Sequence, residues 1–315
     1  MVPRDLRGHG VRAGIASLSY VLVAFRNDAE HVKRLAKALF ESGAARNIPT
    51  EVIVVSNDES GGEQYDGVDL VHGHGNVGFA AGIGLGVKAA TGEYVVLVNP
   101  DCEPDVDEFV RFVDHASLER RINMPLLYDG AGKFDYMPYE NWTFTLDRTV
   151  SAVLCKRRLL TSVEREIPRY AKISGAYVGM PRSVALELDC PFDDAYFLYA
   201  EDRDMTDRAR KLGIPLRLLP DVRITHIGGE SGKSVSGLVE RCKADGSLRV
   251  AYRRLGRVGA VLFASDLLAV DAVKRVLRRH SPLSDHRWAV QRWFRAGFQD
   301  PGRPELAAIT GQTDD

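Results

Sequence analysis

A chain of 315 residues with 45% hydrophobic and 27% charged content can bury a full core, either in one large domain or in one domain with an extension. Its 42 basic and 43 acidic side chains leave a net charge of −1, which argues against a generic nucleic-acid binder but leaves room for a local basic surface. The four cysteines (Cys102, Cys155, Cys190, Cys242) are scattered without metal-ligand spacing and read as the reduced thiols of a cytoplasmic protein.

Residues 1–16 read as a charged tail without the apolar segment of a signal peptide, and no apolar run in the chain reaches the roughly 18–20 residues of a membrane span. Ser17–Phe25 (SLSYVLVAF) predicts a buried strand. Helical periodicity follows over Asp28–Ser42, with Val32, Leu35, Ala36, Leu39 and Phe40 on one face. Glu51–Val55 is a second strand, closed by a turn over Asp58–Gly62, and Asp69–Val71 is a short third. Phe79–Ala90 reads as a Gly/Ala-rich helix, Tyr94–Val98 as a fourth strand, and Asn99-Pro100-Asp101 ends it. Strands that are continuous apolar runs, alternating with helices, predict an α/β fold with a mostly parallel sheet.

The second half is less regular. Pro125–Phe144 contains Asp129-Gly130 and Gly132 and suits a hairpin or loop. Ala171–Met180, Leu216–Leu219 and Val222–Thr225 are strand-like, and Arg182–Leu188 is a short helix. From Arg241 to Arg295 there are thirteen Lys/Arg against four Asp/Glu, with helical patterns over Leu248–Leu255 and Val258–Arg279. The change of character near 232–240 places a domain over 17–235 and a basic helical extension over 236–315. The basic helix suits either an anionic membrane surface or packing on the main domain or on a second copy in a homodimer.

Four groups of residues carry candidate chemistry. Asp101 and Glu103 stand at the carboxyl end of a buried strand, where open α/β sheets bind ligands, although acids there also cap a following helix. Asn76 to Gly86 is glycine-rich and opens a helix, which suits either phosphate approach or close packing on the sheet. The third is the adjacent pair Glu201-Asp202, which follows the aromatic segment Phe197-Leu198-Tyr199 and precedes Asp204, Asp207 and Arg208. A carboxylate so placed can take a proton from a hydroxyl, and an acidic helix start is the plainer reading. His226 precedes the glycine-rich loop Gly228 to Gly232, where it suits a structural role, a phosphate or a metal.

Taken in order, these pieces resemble the family 2 glycosyltransferases with a GT-A fold, particularly their bacterial rhamnosyltransferase-like branch. The resemblance runs from about Ser17 to Ser231 through Phe25, EVIVV with Asn57, Asn76 to Gly82, VNPD (Val98 to Asp101), Ser174 to Ala176, FDD–FLYAEDRD and His226. It implies that Phe25, Arg26, Asn27, Asn57 and Asp58 border the nucleobase and ribose, with Asn76, Gly78, Phe79 and Asn99 completing the nucleotide-sugar site. Asp101, Glu103 and His226 would hold a divalent cation (Mg²⁺ or Mn²⁺) on the diphosphate. Asp202 would be the general base and Glu201 its neighbour in the acceptor site. Residues 17–124 would form the nucleotide-sugar half and 125–235 the acceptor half, the acceptor being a hydroxyl of a glycan, lipid-linked or small molecule. The sequence departs from the family pattern at Ser56, where an acid is usual, at Arg26 and Gly84, where Asn is usual, and at Glu103, where a second Asp is usual.

Competing expectations are a sugar-phosphate nucleotidyltransferase and a non-catalytic nucleotide-sugar-binding scaffold. The first would carry a glycine-rich basic loop near its start, and Ser17–Asn27 contains neither Gly nor Lys.

Overall fold

The computed structural model describes residues 14–58, 68–158, 166–228 and 236–310. Most of the N-terminal tail, most of the turn expected over Asp58–Gly62, and the loop after Gly228 with the start of the 232–240 boundary lie outside those residues.

The strands are β1 (Leu18–Ala24), β2 (Thr50–Ser56), β3 (Asp69–Val71), β4 (Tyr94–Val98), β5 (Ile122–Tyr128), β6 (Tyr177–Pro181) and β7 (Leu216–Thr225). They form one seven-stranded sheet in the order β3-β2-β1-β4-β6-β5-β7. β1 is parallel to β2 and β4, and β2 to β3, as their continuous apolar runs predict. β6 is reversed, running antiparallel to both β4 and β5, while β5 is parallel to β7.

Parallel neighbours need crossovers, and helices supply those from β1 to β2 and from β3 to β4. α1 (Ala29–Ala44) leads from β1 to β2, capped by the Asp28 carboxylate, which accepts from the Glu30 N–H. α2 (Phe79–Ala89) leads from β3 to β4 and lies close on β1. A Cβ on Gly86 would stand 2.3 Å from Val21 Cγ1, and one on Gly82 would stand 2.9 Å from Val23 Cγ1. Packing therefore offsets the weak helix propensity of those glycines. α3 (Val106–Asp114) is capped by Asp105, which accepts from the Glu108 N–H, so the capping role falls to Asp105 rather than to Asp101 or Glu103.

The segment read as a hairpin or loop from Pro125 instead contains most of β5. Proline lacks the N–H that a strand interior uses, and the β5–β7 pairing accommodates it with a register shift between Pro125 and Leu126. A tight turn follows, with Asp129 N donating to Lys133 O at 2.9 Å. α4 (Thr145–Arg158) follows a short 3₁₀ turn at Met137–Tyr139. Its apolar residues Leu146, Val150 and Val153 are exposed, so it lacks the buried stripe that periodicity detects.

α5 (Arg182–Glu187) and α6 (Glu201–Lys211) flank the Phe192–Ala200 segment. The chain ends in α7 (Ser236–Val276), α8 (Leu283–Arg295) and α9 (Leu306–Thr310). α7 unites both C-terminal helical patterns and breaks at Gly256 (φ 63°, ψ −156°). Ala244, Leu248, Ala251, Ala260, Phe263, Ala264, Ala289 and Trp293 make a core of their own there. Arginines tie this layer to α6: Arg253 reaches Asp193 and Asp204 at 2.8 and 2.9 Å, and Arg254 reaches Asp207 at 2.6 Å.

Candidate active site

β1, β2 and β4 end side by side, and a cleft of about 420 Å³ opens beyond their carboxyl ends. Ligands bind at this position in open α/β sheets. Phe25 and Asn27 come from the end of β1, Asn57 from the end of β2, and Asn99 and Asp101 from the end of β4. Asn76, Gly78 and Phe79 enter at the start of α2, Glu201 and Asp202 at the start of α6, and His226 just after β7. The cleft thus brings together most of the residues singled out from sequence. Arg26, Asp58 and Glu103 do not line it.

At the β1 edge Arg26 takes a left-handed backbone (φ 55°), and its N–H donates to both Asp58 carboxylate oxygens at 3.0 Å. Its guanidinium lies 5.1 Å from the centre of the Phe25 ring. Arg26 and Asp58 therefore brace the rim behind Phe25. Asn57 is 3% exposed and donates through Nδ2 to Gly78 O at 3.1 Å. Gly78 has φ 83°, and a Cβ there would stand 2.5 Å from Phe197 O, so the site needs glycine twice over. The next N–H, of Phe79, donates to that same Phe197 carbonyl at 2.7 Å. The glycine-rich turn is in this way joined to the aromatic segment before α6.

The second group is Asn99, Asp101 and His226. His226 Nε2 lies 3.0 Å from Asp101 Oδ1 and 3.3 Å from Asn99 Nδ2. Main-chain bonds fix the pair: Cys102 and His226 form an antiparallel bridge, Ile227 N donates to Asp101 O at 3.1 Å, and Glu103 N donates to Thr225 O at 2.9 Å. Asn99 Oδ1 is buried without a hydrogen-bond donor, and Asp101 Oδ1 is buried with the His226 ring beside it but no aligned hydrogen bond among the described residues. An amide and a carboxylate oxygen beside an imidazole fit a hard cation. The expected set of Asp101, Glu103 and His226 does not close, because Glu103 lies off the cleft wall and no group of three such side chains converges among the described residues.

The third group is the acid pair. α6 starts from two consecutive non-glycine residues in the left-handed region, Tyr199 (φ 67°) and Ala200 (φ 74°). Such a conformation costs about 1–3 kcal/mol per residue and persists only where the surroundings hold it. Here α7 holds it. A Cβ on Gly246 would stand 2.5 Å from Tyr199 O and 3.0 Å from Ala200 Cβ, so the helix fits against this turn only as glycine.

The turn gives the two acids opposite environments. Glu201 is 6% exposed, its Oε2 has no hydrogen-bond partner, and burial together with the neighbouring Asp202 charge pushes its carboxyl up to about 8. Asp202 is less buried and forms an ion pair with Lys172 Nζ, itself a buried side chain of the cleft wall. Lys172, Ser174, Gly175 and Ala176 from the strand-like Ala171–Met180 segment line the same wall. Lys172 was not among the residues singled out from sequence. The available signal was a lone cation in an apolar stretch, AKISGAYVGM. Tyr199, by contrast, reads as an aromatic of an aromatic run, and nothing in its neighbours announces a left-handed backbone.

The family model for glycosyl transferase family 2 matches residues 20–160, which covers β1 through α4 and stops short of the acid pair and His226. Among solved structures the chain is similar to GalNAc-T7 with UDP, GalNAc and Mn²⁺, at 16% identity and a TM-score of 0.53 over 75% of this chain. It is also similar to the mannosyltransferase PcManGT from Pyrobaculum calidifontis in complex with GDP-Man and Mn²⁺, at 14% identity and a TM-score of 0.51 over 89% of this chain. The fold is GT-A. The match spans 47% of the GalNAc-T7 chain and 85% of the PcManGT chain. No curated protein matches the sequence. Within the GT-A fold, the reversed β6 places Ala176 O against Asn99 N at 2.8 Å, which aligns the wall bearing Lys172 beside the end of β4.

Proposed function

We propose that the protein is an inverting glycosyltransferase that moves a sugar, rhamnose or a close relative, from a nucleoside diphosphate to a hydroxyl of a glycan, lipid-linked or small-molecule acceptor. The observation that carries this reading is the convergence in one cleft of a buried carboxylate–imidazole pair at the end of β4 and two acids of contrasting environment at the start of α6. The nucleotide lies along the ends of β1 and β2, between Phe25, Asn27, Asn57 and the Gly78 turn. Residues 17–124 hold the donor, and 125–235 shape the acceptor side.

Asp101 and His226, with Asn99 beside them, would hold a divalent cation, Mg²⁺ or Mn²⁺. Two protein ligands suffice for such an ion, which keeps waters and substrate phosphates as its remaining partners. Bound there, the cation supplies charge neutralisation at the diphosphate. The rest falls to the chain. The acceptor O–H gives its proton to Asp202, and the oxygen attacks the anomeric carbon. The bond from that carbon to the diphosphate breaks with its electron pair, and the configuration inverts. Lys172 holds the Asp202 carboxylate in one orientation. Glu201, protonated near neutrality, offers a hydrogen bond to the acceptor and does not compete for the proton.

Asp202→Asn should lower turnover by at least about 100-fold with nucleotide binding retained, and Asp101→Asn should instead weaken metal-dependent donor binding. The first measurement is thermal stability against thymidine, uridine and guanosine diphosphates with and without Mg²⁺ or Mn²⁺. Ligand at about 100 times its Kd adds about 2.7 kcal/mol, a visible shift. A metal-dependent shift with one base supports the donor site and points to that nucleotide's sugars. A flat response to every nucleotide would remove the donor-site assignment.

A further inference from the structure

The second half of α7 is apolar on two opposite faces. One carries Ala260, Phe263 and Ala264, buried in the core shared with Trp293 of α8. The other carries Val258 (67% exposed), Val261 (43%), Leu262 (51%), Val273 (58%) and Val276 (82%), with exposed Ala269 and Ala272 between them. At about 100° per residue these seven side chains fall within about 120° of arc and form a stripe about 27 Å long. The one polar residue within that arc is exposed Ser265, whose hydroxyl donates to Val261 O at 3.0 Å, and a soluble surface seldom leaves so long an apolar stripe to water.

Charge selects the occupant. Arg257 and Arg275 border the same edge of the stripe, about 100° from its centre, and Arg278 and Arg279 follow directly on the end of α7, whereas Lys274 points to the opposite side of the helix. Among the described residues none of these five lies within ion-pair distance of a carboxylate. The acids on this half of α7 are already engaged. Asp266 accepts from the N–H and hydroxyl of Thr145 at 2.8 and 2.7 Å. Asp271 is 1% exposed and accepts from Ser281 at 2.5 Å, with His286 Nδ1 2.7 Å away. A second copy laid on this stripe would bring unneutralised cations to the same face, whereas a bilayer with anionic headgroups accepts both the stripe and its cations. Among the described residues no helix is long and apolar enough to cross a membrane, so the contact is with α7 lying in the plane of the surface.

We infer that the outer face of α7, from Val258 to Val276, together with the arginines that follow it as far as Arg279, docks the protein on an anionic lipid surface. This holds whatever the cleft transfers, since it rests on a separate face and is read without nucleotide.

The test is flotation of the full-length protein with phosphatidylcholine vesicles, with and without phosphatidylglycerol, alongside sedimentation velocity without lipid. The protein should float only with the anionic vesicles and release as salt is raised. The triple change Arg275→Gln, Arg278→Gln, Arg279→Gln should lower the partition coefficient about 100-fold. Val258→Glu with Leu262→Glu should abolish flotation with the melting temperature unchanged, as both side chains are exposed. Failure of the wild type to float with anionic vesicles would overturn the inference. So would a lipid-free dimer that the Val258→Glu, Leu262→Glu change dissociates, which would assign the stripe to a second copy.

Discussion

Glu201 keeps its proton because two influences oppose its charge: it is 6% exposed, and the Asp202 carboxylate is its neighbour. The unfolded chain releases that proton near the ordinary value of 4.5, while the folded chain holds it to about 8. Between those two values folding takes up a proton, so stability present at acid pH is lost as pH rises and levels off above the folded value. The loss summed over that window is on the order of a few kcal/mol. Glu201→Gln has no proton to lose. Its melting temperature minus that of the wild type should therefore grow from about pH 5 to about pH 8 and then stay constant. A difference that does not change with pH would mean that Glu201 is ionised in the folded protein. At the same scale, the residues legible in the sequence were those whose chemistry is local, such as Asp101 beside Pro100 or the adjacent Glu201 and Asp202. Lys172 was hidden because its role depends on a partner 30 positions away.

The turn that delivers this pair to the cleft belongs to two elements. α6 supplies the acids, and α7 supplies the absence of a side chain at Gly246 that lets Tyr199 and Ala200 keep positive φ. Gly246→Ala places a methyl 2.5 Å from a carbonyl oxygen, so the turn or the helix must shift. Overpacking of this kind costs about 1–3 kcal/mol. We expect kcat to fall by about 100-fold from a misplacement near 1 Å, with donor binding kept, because Asp101 and His226 are fixed by their own main-chain bridge. Loss of donor binding in step with kcat would instead mean a general disturbance. Elements were legible where burial is one-sided or complete, as in α1 and β1. β5 was not, because Pro125 reads as a break and only its pairing with β7 accommodates it. α4 was not, because its apolar residues face water.

For the molecule as a whole, the basic C-terminal helices are a buttress of the cleft. A chain ending at residue 235 would leave Asp193 without Arg253, Asp207 without Arg254, and Arg203 without the Ser247 hydroxyl it reaches at 2.6 Å. It would also expose Phe197, which packs with Leu238, Cys242 and Ile309. Uncovering the apolar surface that these helices bury forfeits about 25 cal/mol for each Å² returned to water, against the 5–15 kcal/mol that holds a typical domain. The truncated protein should accumulate insoluble and show no cooperative melt; a soluble form with a sharp transition would mean that residues 17–235 stand alone. The alternation of strands and helices made the first half of the sheet readable. The arginine ties of α7 were not, since thirteen basic residues in a row of helices look alike until each meets its acid. The same joint carries all the indole of the chain. Trp142 lies under the Arg203 guanidinium, 4.1 Å from ring centre to charge, Trp288 packs beside Arg241, and Trp293 donates to Asp245 at 2.8 Å. No tryptophan stands on β1, β2 or β4, whose carboxyl ends frame the cleft. Ultraviolet emission from this protein is therefore a private view of the seam between α7–α8 and the sheet layer, and dichroism at the amide band is a view of everything. Where the two melt together, seam and sheet are a single cooperative unit.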